Sequence, residues 1–277
     1  SQAIVVVKNV LLFLIMLGSL VLPVVSADNF AKDKLVAWCI VPFDAKQRGP
    51  AERAAMLKQL GLKRVAYDWR TQHVKEFEEE ILQYKKHGLE FFAFWKGHEE
   101  AFRLFEKHKI HPQIWRTLRS PQADSQEARV AAAAQTMLPL VQRTKELGCK
   151  LGLYNHGGWG GEPANLVAVC QYLSKHHNAK HVGIVYNLHH GHGHIADWEK
   201  SLRQMKPYLL CLNLNGMNDG AEPKILQLGR GQHEAAMIAT IRESGYSGPI
   251  GILDHRNDTD AEIALKENLE GLKKILK

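Results

Sequence analysis

From residue 35 onward the chain alternates strand-like and helix-like segments eight times, and this alternation limits the possible folds more than any other feature. The strand-like runs are 35–41, 63–67, 90–95, 112–116, 150–154, 181–186, 208–212 and 249–253, each short, apolar and rich in β-branched or aromatic residues. Helix-like segments follow them at 51–60, 74–87, 99–107, 125–147, 165–176, 195–205, 232–244 and 260–275. Pro50 stands where a helix accepts proline, and Gly88 and Gly148 stand where helices stop. Eight strand–helix units in about 250 residues are what a (β/α)8 barrel requires. A doubly wound open sheet, the runner-up, more often carries a glycine-rich phosphate loop after its first strand, and Pro42-Phe43-Asp44-Ala45 is not one. The expectation is an α/β chain forming one TIM barrel domain over residues 28–277.

Residues 1–27 read differently. Lys8 is their only charge, the stretch from Val10 to Leu22 is almost continuously apolar, and Val25-Ser26-Ala27 offers small residues for cleavage. This is the layout of a secretory signal peptide, and the apolar core is short for a bilayer span of ~20 residues. The expected mature protein is periplasmic or secreted, with no membrane partner after cleavage. Cys39, Cys149, Cys170 and Cys211 show no CxxC spacing and suit buried thiols rather than a disulfide framework. The net charge of +7 falls to +6 once Lys8 leaves, and its basic residues are scattered, so nucleic acid is not implied.

Barrels of this kind place their chemistry at the carboxyl ends of the strands. Those ends carry Trp38, Asp68-Trp69-Arg70, Trp95-Lys96, Arg116, Asn155-His156-Gly157-Gly158-Trp159, Asn187 with His190, Asn213 with Asn215, and Asp254-His255. The run Asn187-Leu188-His189-His190-Gly191-His192-Gly193-His194 adds four imidazoles in eight residues, a signature of acid–base or metal chemistry. Indole faces among amides and guanidiniums suit a sugar, whose C–H faces pack on aromatics while its hydroxyls need hydrogen bonds. The expected substrate-binding set is Trp38, Asp68, Trp69, Trp95, Arg116, Asn155, Trp159, Asn187, Asn213, Asn215 and His255. The expected catalytic set is His156, His190, Lys96 and Asp254.

On the stretches Leu153-Tyr154-Asn155-His156-Gly157-Gly158, Asn187-Leu188-His189-His190, Leu212-Asn213-Leu214-Asn215-Gly216-Met217 and Gly245 to Asp254, the chain resembles the xylose isomerase-like barrels. That superfamily holds sugar isomerases, sugar-phosphate epimerases and endonuclease IV, and the resemblance spans the mature chain. It implies proton transfer next to a sugar carbonyl, assisted by a divalent ion held by two Glu, one Asp and one His. Here Tyr154 stands where the fifth-strand Glu is expected, Asn187 where the sixth-strand Asp is expected, and Asn213 where the seventh-strand His is expected. His190 and an eighth-strand carboxylate, Asp254, remain.

Three outcomes stay open. A softer site of His156, His190, His192 and Asp254 (or His194 and His255 in substitution) would hold Zn²⁺ or Mn²⁺. Alternatively His156 or His190 acts as base without a metal, with Lys96 or Arg116 stabilising the enolate. In the third, catalysis is lost and a carbohydrate-binding barrel remains. The leading expectation is an exported isomerase or epimerase acting on a neutral or oxidised sugar, with no nucleotide cofactor. A keto-glycoside lyase is the first alternative, a glycosidase using Asp68 and Asp254 is a weaker one, and a DNA-repair endonuclease is disfavoured by the missing carboxylates.

Overall fold

The computed structural model describes residues 28–277; residues 1–27, which carry the expected signal peptide, lie outside the described residues. Eight parallel strands close into a barrel in sequence order: β1 (Val36–Trp38), β2 (Arg64–Tyr67), β3 (Glu90–Trp95), β4 (Gln113–Thr117), β5 (Leu151–Tyr154), β6 (Val182–Asn187), β7 (Leu209–Leu214) and β8 (Ile250–Leu253). Pairing of Val36 with Gly251 and Trp38 with Leu253 completes the ring. The helices are α1 (Pro50–Leu60), α2 (Phe77–His87), α3 (Glu99–His108), α4 (Gln126–Leu147), α5 (Pro163–His177), α6 (Trp198–Met205), α7 (Glu234–Glu243) and α8 (Ala261–Ile275).

Three boundaries differ from the sequence expectation by three residues, the others by two or fewer, and each of the three has a local reason. The first strand stops at Trp38 because Cys39 turns into the left-handed region at φ 60°. Residues 74–76 belong to a 3-10 turn over Thr71–Glu76, so α2 starts only at Phe77. The sixth helix starts at Trp198 because His192–His194 forms its own 3-10 turn.

Alternation along each strand sorts the apolar residues into two layers. Ala37, Val65, Ile114, Leu151, Leu153, Ile184, Leu212, Ile250 and Ile252 face outward into the core shared with the helices. Val36, Trp38, Ala66, Phe92, Trp115, Tyr154, Val185, Cys211 and Leu253 form a separate cluster inside the barrel. Trp115, fully buried, is the largest plug, its ring 4.9 Å from that of Trp38. The plug fits because Gly152 lies beside it: a Cβ there would run into Trp115 and Val185. Space at the ring's centre is thus shared between one indole and a missing side chain, the large–small complementarity that barrel interiors need.

Two ionic devices hold the helical shell. Arg53 of α1 donates to both oxygens of Glu80 of α2 at 2.6 and 2.7 Å, with both side chains essentially fully buried. Near the barrel's closure, Asp44 accepts from Arg48 and from the Ala261 amide that opens α8. Arg48 also reaches Asp260 at 2.8 Å and Glu262 at 3.4 Å, so the loop after β1 is fastened to the last helix. Removing one partner of a buried pair strands the other charge. Glu80→Ala is expected to lower the unfolding free energy by about 3–5 kcal/mol, with most of it recovered in the double variant Arg53→Met/Glu80→Leu, as read by urea unfolding.

Candidate active site at the carboxyl end of the barrel

A cavity of about 390 Å³ opens at the carboxyl ends of the strands. Its volume lies in the range of small-ligand sites. Its inner wall is Trp38, Cys39, Asp68, Trp95, Tyr154 and Leu253; its imidazoles are His156, His189, His190 and His255; its rim carries Phe43, Arg70, Ala221, Glu222 and Lys224. A larger groove of about 620 Å³ lies at Phe30, Leu60 and α8, but it is lined by apolar and lysine side chains with Gln59 and Glu270, and contains no imidazole. Convergent chemistry singles out the smaller one.

The backbone at this end is bent to present side chains. Cys39 and Lys96 follow the last residues of β1 and β3 directly, and His255 lies two residues past β8; all three adopt left-handed φ of 58–67°, a cost of roughly 1 kcal/mol or more each for residues with a Cβ. Leu188–His190 forms a 3-10 turn straight after β6, and Gly191 follows because any Cβ there would meet the Tyr186 ring, itself stacked on Trp198 at 5.6 Å. That turn points two imidazoles into the cavity. The rings of His156 and His190 are 4.3 Å apart, and those of His189 and His190 are 4.6 Å apart.

The other half of the histidine run is structural. His192 places Nδ1 2.8 Å from the His189 carbonyl, and His194 sits between Glu162 at 2.6 Å and Asp197 at 3.0 Å. Burial disfavours charge on His194, but those two acceptors outweigh it and raise its pKa.

Of the residues expected from sequence, the structure brings Trp38, Asp68, Trp95, His156, His190 and His255 to one cavity. Lys96 and Arg116 instead line a neighbouring groove with His98 and Arg143, between α3 and α4. Trp69 packs on Phe77 and Phe94 and donates to the Trp95 carbonyl at 2.6 Å. Trp159 donates to Gln126.

The asparagines form a buried ladder outside the cavity lining. Asn213 Nδ2 donates to Asn187 Oδ1 at 2.8 Å, and Asn187 Nδ2 donates to Asn155 Oδ1 at 2.9 Å, tying the ends of β5, β6 and β7. Asn215 is turned to the Gly216 carbonyl. The expected site sets left out Cys39, Phe43, Arg70, Tyr154, His189 and Lys224, which also line the cavity. Cys39 read as mid-strand, and nothing in the sequence shows that the long segment between β7 and α7 reaches the mouth.

Electrostatics here is governed by desolvation. Asp68 is 2% exposed; one oxygen accepts from the Val41 amide at 3.1 Å, the other has no partner, and burial raises its pKa to about 7. Asp254 is fully buried and outside the cavity lining. Burial raises it to about 8, with Arg256 opposing and the charge of Asp68 adding to the shift. Burial, then the neighbouring imidazoles, lowers His190 to about 3; burial and His192 lead the lowering of His189 to about 4. These two rings are neutral at physiological pH. The Cys39 thiol, buried and facing Asp68 and Asp254, is raised well above its usual value.

The donor set does not fit a divalent ion. Among the described residues no three His, Cys, Asp or Glu side chains stand together so as to hold a metal. The set His156, His190, His192 and Asp254 is not assembled: only His156 and His190 meet, while His192 is engaged with the His189 carbonyl.

No family model and no curated protein matches the chain. Solved structures do. The 3-keto-D-glucoside 4-epimerase of E. coli in apo form superposes with a TM-score of 0.64 at 15% identity, over 87% of this chain and 98% of that one. The IOLI protein with a bound zinc atom gives 0.65 at 12% identity over the same shares, 87% and 98%. A D-psicose 3-epimerase in the presence of D-fructose gives 0.58 at 12% over 83% and 92%. At such identities the likeness is one of fold, and the fold is that of the xylose isomerase-like (β/α)8 barrels.

These proton affinities have a consequence for stability. Asp68 and Asp254 bind protons more tightly folded than unfolded, so above about pH 4 they make stability fall as pH rises, until their native values near 7 and 8 are passed. His189 and His190, lowered in the native state, act the other way, but only below the unfolded histidine value of about 6.5. Above pH 6.5 the two carboxyls act in the same direction as His194, whose raised pKa also makes stability fall as pH rises. The unfolding free energy is expected to decline from about pH 6.5 to 8, by at most about 1.4 kcal/mol per pH unit for each carboxyl, and the decline should shrink to the part left by His194 in Asp68→Asn/Asp254→Asn when urea unfolding is repeated across the pH range.

Proposed function

We propose that this barrel is a sugar isomerase or epimerase that moves a proton on the carbon next to a carbonyl, with Asp68 as the group that carries the proton. One observation carries the reading: Asp68 lines a small cavity, one of its oxygens held by a single amide and the other buried without a partner, at a proton affinity matched to neutral pH. A base whose pKa lies near the working pH combines the right protonation state with driving force for transfer. The solved epimerases of the same fold support the substrate class, a small carbohydrate. The leader-like residues 1–27 support action outside the cytoplasm.

The step balances within the cavity. Asp68 takes the proton from the carbon beside the carbonyl, the C–H electron pair moves into an enolate, and charge grows on the former carbonyl oxygen. His190, held neutral, donates a hydrogen bond to that oxygen, a task for which a neutral imidazole is suited because it does not surrender its proton. Asp68 then returns the proton: to the former carbonyl carbon in an isomerisation, the neighbouring hydroxyl passing its own proton to the enolate oxygen as the carbonyl shifts, or to the same carbon in an epimerisation, once the enolate has turned its opposite face to Asp68. His156, 4.3 Å from His190, is placed to fix a neighbouring hydroxyl, and Trp95 and Phe43 offer apolar faces to the sugar's C–H groups. No step is routed through a metal, since the donors do not converge on one.

Incubation with a panel of aldoses, ketoses and keto-sugars in D2O, followed by NMR, is the direct test. Deuterium should enter next to the carbonyl with no change in substrate skeleton, and the rate should rise with pH to a plateau above about pH 7. Asp68→Asn should lose about 100-fold or more in kcat/KM, and His190→Ala and His156→Ala should each lose a comparable factor. Full exchange activity in Asp68→Asn would refute the assignment, and release of an aglycone would turn the reading toward elimination.

A further inference from the structure

Taking that isomerase reading as its basis, we infer that the substrate is a sugar acid, whose carboxylate is held at the cavity mouth by Arg70 and Lys224. Both cations line the cavity, and neither has a carboxylate within ion-pair distance among the described residues. Arg70 lies with its guanidinium carbon 5.4 Å from the Phe43 centroid, while His255 stacks on the same ring at 3.9 Å. Its Nη1 is fixed by the Asp68 and Trp69 carbonyls at 3.0 Å each. A guanidinium so anchored keeps its remaining N–H groups aimed outward, the geometry that receives a carboxylate. Behind burial, which is the leading cause, the charge of Lys224 adds to the lowering of His189, His190 and His255. Glu222 is the one rim carboxylate, and it pairs with neither cation.

The alternative anion, a phosphate, meets a different environment. Barrels of this architecture often seat phosphate on the amides of the loops after strands seven and eight and on a helix N-terminus there. In this chain those amides already have anionic partners of its own. Glu234 accepts from the Met217 and Gly231 amides at 3.1 and 2.6 Å, Asp44 from the Ala261 amide at 3.1 Å, and Asp260 from the Glu262 amide at 2.9 Å. These amides are already satisfied within the chain and are not free to seat a phosphate. A planar monoanion at the Arg70 side of the mouth is what remains complementary.

Isothermal titration of the full chain with D-glucuronate, D-galacturonate, D-glucose and D-glucose 6-phosphate tests this without requiring turnover. At least one hexuronate should bind about tenfold or more tighter than glucose, and also tighter than glucose 6-phosphate. Arg70→Gln and Lys224→Gln should each weaken hexuronate binding about fivefold or more while leaving thermal unfolding and the weak binding of glucose unchanged. Equal affinity for glucose and hexuronates, a preference for the phosphate, no hexuronate binding at all, or an undiminished hexuronate preference in Arg70→Gln/Lys224→Gln would each overturn it. The two readings separate cleanly. Hexuronate binding without deuterium exchange keeps this inference and removes the isomerase, and exchange on neutral sugars with no hexuronate binding does the reverse.

Discussion

Everything at the reactive end of this barrel depends on the exclusion of water from its interior. Trp115 closes the ring from inside, with Gly152 yielding the volume it needs, and the cavity sits above that plug with Trp38 and Tyr154 in its wall. Groups at the cavity's base are buried, and burial disfavours their charged forms. Desolvation is accordingly the leading cause of every large shift there: upward for Asp68, Asp254 and Cys39, downward for His189 and His190. The same exclusion leaves a carboxyl that titrates near neutrality next to imidazoles that do not. An acid–base pair of opposite tuning needs no metal to create it.

The asparagine ladder belongs to the same economy of charge. Where related barrels are expected to put ligating carboxylate and imidazole, this one puts Tyr154, Asn187 and Asn213, and the two amides bond to each other and to Asn155 instead of facing the ligand. An amide satisfies its neighbours without a net charge, so three strand ends are locked at no Born cost.

The fold was legible because its evidence is periodic and redundant: eight alternations survive errors of a residue or two at each boundary. The cavity was legible in part. Asp68, Trp95, His156, His190 and His255 could be read because each lies at the end of a recognisable strand. Lys96 and Arg116 satisfied the same rule and went elsewhere, since a residue's place at a strand end does not determine where its side chain turns. Cys39 was hidden by an apolar context that looks like strand until a left-handed φ ends it. Lys224 was hidden by distance along the chain. Half of the histidine run was misleading for a third reason: His192 and His194 serve the turn that carries His189 and His190.

The ion cluster joining Asp44 and Arg48 to Asp260 and Glu262 sets the mechanical character of the ring. A closed barrel made from one chain has a single seam, where its first and last units meet without a covalent connection. In most of the ring, neighbouring units are held by the peptide chain as well as by packing; at the seam only non-covalent forces act. Here that seam carries a knot of charges around Arg48, and at the cavity mouth Phe43 from the first unit stacks on His255 from the last at 3.9 Å. The mouth is therefore shaped by the junction of the two ends of the fold, and the site is whole only when the ring is.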